Sequence, residues 1–203
     1  PEGVYFHAGR RAYFPFMADS FIEYARTRKL AADPDSYTLE DLLRGHFSSE
    51  ADQLLALLTK EELNIPFCKQ QQRCLDILER ISGPLTNLME ARRERARRYY
   101  ASVFPSGANR FLVFDMGYSG SISTALSTIA GTPFDKLYCW QNETNQTADA
   151  QNGTKTFLLM QKEDYLPYHL ILEEMFSPCS GGVVDFDEQG HPCHEIFMPA
   201  PSM

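Results

Sequence analysis

The chain has 203 residues, of which 43% are hydrophobic and 23% are charged, a composition typical of a folded globular protein. A formal net charge of −8 argues against general nucleic-acid binding, because nothing offsets the repulsion of phosphates over so acidic a surface. No apolar run approaches the roughly 20 residues of a membrane span, so we expect none. Five cysteines without a signal peptide favour reduced thiols, and we expect a cytoplasmic protein, here as a fragment of a larger polypeptide.

In chain order, residues 4–7 have the pattern of a short buried strand, and residues 15–28 that of a helix with proline in its first turn. Residues 33–103 form a series of helical segments, which we interpret as an insertion or cap. The longest segment is GPLTNLMEARRERARRYYASVF. Its predicted buried stripe comprises Leu85, Leu88, Met89, Arg92, Ala96, Tyr99 and Val103.

The stretch RFLVFDMGYSGSISTALSTIAGT, residues 110–132, predicts a strand, a small-residue loop and a helix. Strands at 136–140 and 156–160 follow, and a hairpin turns at 188–190. Strands separated by helices indicate a mostly parallel sheet. We therefore predict an α/β fold over 1–203 as a single domain, with a Rossmann-like or phosphoribosyltransferase-like sheet, a helical insertion and a C-terminal β-hairpin.

The loop of this stretch favours anion binding, because glycines let backbone N–H groups converge on a ligand and the following helix adds its positive dipole end. The predicted phosphate-binding residues are Gly117, Ser119, Gly120 and Ser121. Asp115, at the strand end, could hold a ribose hydroxyl or a magnesium ion. A tight turn in which Ser119 or Ser121 caps the helix explains the same residues equally well.

Stricter motifs do not fit this loop. A P-loop requires a lysine after the second glycine, and Ser121 stands there. The nucleophile elbow of serine hydrolases requires glycine at the same position, so a hydrolase that uses Ser119 is the weaker alternative. The D-x-D motif of haloacid dehalogenases would need an acidic residue where Gly117 stands.

Three segments together resemble a domain of bacterial surface-polysaccharide proteins: VYFHAGRRAYFPFM, FLVFDMGYSGSISTAL and LILEEMFSPCSGGVVDF. That family combines glycosyltransferase modules with a predicted haloacid-dehalogenase-type hydrolase region. The resemblance implies a role in making capsule or lipopolysaccharide-type glycans. The matching residues are Arg10 and Arg11 for a basic pair, Asp115, Gly117, Ser119 and Gly120 for the second segment, and Glu173 and Phe176 for the third.

The layout is also similar to phosphoribosyltransferases, in which one loop holds pyrophosphate and a later strand and loop hold the 5′-phosphate. HAGRRA and FDMGYSGS occupy comparable places. This chain departs from the family's adjacent acidic pair, because Phe114 precedes Asp115.

Arg92 is a further candidate anion ligand, because it falls on the apolar stripe and a buried guanidinium needs a carboxylate or phosphate partner. Asp115 or a bound anion could serve. Cys179, His191, Cys193 and His194 lack the paired spacing of structural zinc sites, so we predict no metal centre there.

Two functional hypotheses follow. In the first, the domain binds a phosphorylated or nucleotide-linked sugar, with Asp115 and Glu173 as candidate catalytic residues and magnesium as the candidate cofactor. In the second, a non-catalytic domain docks other modules of the same polypeptide, such as glycosyltransferases. The sequence leaves open whether the domain is an enzyme.

Overall fold

A computed structural model describes residues 10–27, 36–104, 111–115, 121–131, 134–141, 154–165, 167–168, 171 and 183–194. The chain divides into two compact units: a helical unit, Phe14–Arg95, and a sheet unit, Pro1–Tyr13 with Ala96–Met203. The predicted strand at 4–7 lies outside the described residues. The single domain with an insertion at 33–103 stays a prediction.

The helical unit is built from most of the long helix α7 (Ser82–Val103) and from shorter helices. These are α2 (Phe21–Thr27), α3 (Leu39–Phe47), α4 (Ala51–Leu55), α5 (Lys60–Leu63) and α6 (Gln71–Arg80). Its core includes an aromatic cluster in which the Phe14 ring meets Phe21 and Phe47 edge-on, at centroid distances of 5.8 and 5.5 Å. Thr38 and Thr59 start α3 and α5 with capping boxes, so local hydrogen bonds fix both starts.

The helix predicted at 15–28 is interrupted. Phe14–Phe16 form a 3₁₀ turn, and α2 begins only at Phe21. The hydroxyl of Ser20 accepts a hydrogen bond from the Glu23 backbone N–H at 3.1 Å, so Ser20 caps a new helix. A serine with this capping option favours a fresh start over continuation of the turn at Pro15.

The long helix α7 confirms the predicted stripe. Leu85, Leu88, Met89, Arg92, Ala96 and Tyr99 are buried, and Val103 is partly buried. Arg92 is thus a buried cation, as its position on the stripe predicted.

The sheet unit contains a parallel sheet of three described strands in the order β1 (Leu112–Asp115), β2 (Asp135–Tyr138) and β3 (Thr156–Leu158). Helix α8 (Ser121–Ala130) connects β1 to β2. The strand and the helix predicted over 110–132 are therefore confirmed, whereas the loop between them lies outside the described residues. The mixed α/β class is also confirmed.

The predicted C-terminal hairpin is confirmed as the antiparallel pair β4 (Val183–Phe186) and β5 (Pro192–His194). Short helices α1 (Arg10–Tyr13) and α9 (Lys162–Tyr165) complete the described elements of this unit. Phe186 stacks on Tyr99 at 4.8 Å, so the hairpin packs against the C-terminal part of α7. At the turn, Gly190 has φ +86°, and a Cβ there would lie 2.9 Å from the Tyr99 backbone nitrogen.

The two faces of the parallel sheet differ. Lys136 and Tyr138, on one face of β2, are buried. Leu112, Phe114 and Phe157 are between 46% and 59% exposed. The register places Phe114 beside Leu137 and Leu137 beside Phe157, so these exposed side chains share the opposite face, the open sheet face. Parallel sheets are normally covered on both faces.

Within the described part of the chain, no helix combines the length and the apolar character needed to cross a membrane.

Candidate functional site

The candidate site lies where β1 and β2 end. Asp115 is the last residue of β1, and its register partner Tyr138 is the last residue of β2. Helix α8 begins at Ser121, so residues 116–120 connect the end of β1 to the start of the helix. Gly117, Ser119 and Gly120 fall in that connection and lie outside the described residues. A strand and a helix thus lie on either side of this connection, and ligands of α/β sheets bind at the carboxyl ends of the strands.

A buried hydroxyl pair joins the first turn of α8 to the end of β2. The Oγ atom of Ser123 lies 2.7 Å from the Oη atom of Tyr138, and both residues are fully buried. This bond links the start of α8 to the carboxyl-terminal end of β2, which lies beside the end of β1 at Asp115. The sequence analysis missed both residues, because they stand 15 positions apart and neither belongs to a motif.

Two further polar residues are buried close to the ends of these strands. Lys136 is 3% exposed on β2, on the same face as Tyr138, and Gln141 is fully buried just beyond the strand. Both residues take part in interactions within the protein. In the sequence Lys136 follows Asp135, so this pair of charged residues gave no signal that the lysine is buried.

The electrostatics of α8 suit an anion. The helix has ten residues, and its first turn contains no aspartate or glutamate. The partial positive charge of its first backbone N–H groups is therefore not offset by an acidic side chain in that turn. Ser121, one of the predicted phosphate-binding residues, is the first residue of this turn.

The predicted basic pair lies on α1, which packs against α8 and β4. Arg11 is exposed and interacts with other protein groups. Helix α1, which contains Arg10 and Arg11, thus lies against the helix that follows the loop. Their assignment as phosphate ligands stays a prediction.

Arg92 lies in the helical unit, where a carboxylate binds it. Its Nε donates to Oε2 of Glu50 at 2.8 Å, and Nη2 of Arg95 donates to Oε1 of the same residue at 3.0 Å. The Arg92 guanidinium carbon also lies 5.8 and 5.5 Å from the ring centroids of Phe14 and Phe47. The sequence analysis offered Asp115 or a bound anion as the partner, and the structure shows Glu50 as one partner of Arg92. A role for Arg92 in binding phosphate stays a prediction.

Glu173 and Cys179 lie outside the described residues. At the hairpin, Nδ1 of His191 lies 3.0 Å from Oδ2 of Asp187, and the backbone N–H of His191 donates to Oδ1 of the same carboxylate at 2.7 Å. These contacts, the backbone hydrogen bond first, lower the pKa of Asp187. Within the described ranges, no cluster of three or more histidine, cysteine, aspartate or glutamate residues could hold a metal ion.

Comparison with protein-family models, with curated proteins and with solved structures gives no match.

Proposed function

We propose that the chain is an α/β domain of a bacterial surface-polysaccharide biosynthesis protein and binds a phosphorylated or nucleotide-linked sugar. The ligand's phosphate lies at the turn between β1 and α8. One observation carries the proposal. The parallel strands β1 and β2 end side by side, and the helix that follows β1 begins a few residues later with a first turn free of acidic side chains.

In the proposed complex, backbone N–H groups of Gly117, Ser119, Gly120 and Ser121 hold the phosphate oxygens. Asp115, whose backbone ends β1, binds a ribose hydroxyl or a magnesium ion that accompanies the phosphates. The packing of α1 against α8 supports a supplementary role for Arg10 and Arg11 as phosphate ligands.

The finer features of the proposal are a Rossmann-like or phosphoribosyltransferase-like sheet, a cytoplasmic location, and neighbouring glycosyltransferase modules in the same polypeptide. If the domain is an enzyme, Glu173 is the candidate general acid or base. The parallel order β1-β2-β3 is compatible with such a sheet. The resemblance in sequence supports the neighbouring modules, and the odd number of cysteines supports a cytoplasmic location.

A calorimetric titration tests the binding proposal. Phosphoribosyl pyrophosphate and a panel of nucleotide sugars are titrated with magnesium into the wild type and Ser119→Arg. The expected result is binding to the wild type that Ser119→Arg abolishes, because a long side chain occupies the turn. Thr128→Arg is the matched control, since Thr128 is exposed on α8 beyond the first turn. The absence of binding to every compound would overturn the proposal for these ligands, as would equal binding to the two arginine variants.

The open sheet face favours a second candidate, a docking domain. Leu112, Phe114 and Phe157 form an exposed apolar surface of the kind that marks interaction sites. In this proposal the face binds a neighbouring glycosyltransferase module of the same polypeptide. Phe114→Ser should weaken co-purification of separately expressed modules, whereas Thr128→Ser, on an exposed position of α8, should not. Equal recovery with both variants would contradict docking through this face.

A further inference from the structure

We infer that the hydroxyl pair of Ser123 and Tyr138 positions the first turn of α8 for the ligand. This inference rests on the proposed function for its effect on ligand affinity. Its structural part, which concerns the order of the helix start, can be tested without any ligand.

The geometry of the pair carries the inference. The Ser123–Tyr138 bond is 2.7 Å long, both residues are fully buried, and it links the third residue of the helix to the last residue of β2. The register partner of Tyr138 is Asp115, the residue from which the connection to α8 departs. The bond therefore closes a ring that runs from the end of β1 through the connection, the helix start and β2.

Helix ends fray because their first N–H groups have no partner within the helix. A hydrogen bond from the third residue of the helix to the sheet opposes fraying. It therefore keeps the free N–H groups of the first turn in a fixed orientation relative to the strands. Farther along α8, Oγ of Ser127 donates to the Ser123 carbonyl at 3.0 Å and accepts from the Phe134 N–H at 3.3 Å. This second contact holds the middle of the helix, so loss of the Tyr138 hydroxyl should loosen mainly the first turn.

The test is amide hydrogen exchange, resolved by residue with NMR, on wild type, Tyr138→Phe and the control Tyr99→Phe. Tyr99 is also a buried tyrosine of the sheet unit, and its ring packs on Phe186 in the hairpin. In Tyr138→Phe we expect the amides of Ala125 and Leu126, whose helical acceptors lie in the first turn, to exchange about tenfold faster. The amides of Ile129 and Ala130 should change little, and Tyr99→Phe should not reproduce this local pattern.

Uniform acceleration along α8 would show a merely structural role for Tyr138 and would overturn the inference, as would unchanged exchange. Calorimetry on the same variants then separates the two proposals. If the wild type binds a nucleotide sugar, Tyr138→Phe should weaken binding about tenfold, whereas Tyr99→Phe should not. If Tyr138→Phe binds as tightly as the wild type, the positioning role is wrong. If the wild type binds none of the compounds, the proposed function fails, while the exchange pattern still decides whether the pair holds the helix start.

Discussion

The Nε atom of Arg92 lies 2.8 Å from Oε2 of Glu50 in the helical unit, where Arg92 is 1% exposed. The other oxygen of Glu50 accepts from Arg95, so two buried guanidinium groups share one carboxylate. The Arg92 guanidinium is in addition flanked by the rings of Phe14 and Phe47. Glu50 thus joins the 3₁₀ turn at Ser48–Glu50 to α7.

We expect Glu50→Ala to lower the free energy of unfolding by about 3–5 kcal/mol, because the change removes the shared partner of buried charges. The control is Glu40→Ala, which removes a pair with the half-exposed Arg44 and should cost about 0.5 kcal/mol. Urea unfolding followed by far-ultraviolet circular dichroism measures both. Equal losses in the two variants would contradict the role of Glu50.

Gly190→Ala should destabilise the sheet unit by roughly 2–4 kcal/mol, because the new Cβ meets the α7 backbone and the residue keeps a positive φ. Gly131→Ala separates the two causes: Gly131 has φ +66° but open space around its Cβ, so strain alone should cost about 1–2 kcal/mol. Trp140, the single tryptophan of the chain, lies in the sheet unit, and its fluorescence during urea unfolding reports on that unit. A larger loss for Gly131→Ala would contradict the close packing at Gly190.

Acidification should weaken the start of α5. The hydrogen bond from the Thr59 backbone N–H, followed by the bond to Arg80, lowers the pKa of Glu62 in the folded state. A carboxyl with a lowered folded-state pKa stabilises fully above its unfolded pKa, and the contribution is lost as the pH falls through the folded-state pKa. Between pH 7 and pH 3, Glu62→Gln should therefore lose less stability than the wild type. Thermal unfolding by circular dichroism measures this, and Glu61→Gln, at an exposed neighbour, should behave like the wild type.

The two cysteines of the helical unit should differ in reactivity. Burial raises the pKa of the Cys74 thiol to about 11, whereas Cys68 is exposed. At pH 8 only about one Cys74 thiol in a thousand is ionised. Alkylation of the folded protein with iodoacetamide, followed by mass spectrometry of peptides, should modify Cys68 at least about 100-fold faster. Both should react at similar rates in urea, and similar rates in the native protein would contradict the burial of Cys74.

Local patterns allowed much of the fold to be predicted. Three predicted features are confirmed: the apolar stripe of α7, the strand β1 followed by the helix α8, and the hairpin. Each depends on residues that are close together in the sequence. The prediction of one continuous helix across 15–28 was wrong, because the side chain of Ser20 caps a new helix that begins at Phe21.

The long-range contacts of the two units could not be predicted in this way. Ser123 meets Tyr138 across 15 residues, and Arg92 meets Glu50 across 42. Such pairs depend on how elements pack, which periodicity does not specify. The rule that a buried guanidinium needs an anionic partner predicted that Arg92 would have one, but it could not say which carboxylate would serve.

The open sheet face also governs how the purified protein should be handled. At low ionic strength the net charge of −8 keeps molecules apart, and salt screens that repulsion. Ammonium sulfate adds a second effect, since sulfate favours the removal of apolar surface from water. Precipitation should therefore set in at a lower sulfate concentration for the wild type than for Phe114→Ser, and crystals grown from sulfate should bury Leu112, Phe114 and Phe157 against a neighbouring molecule.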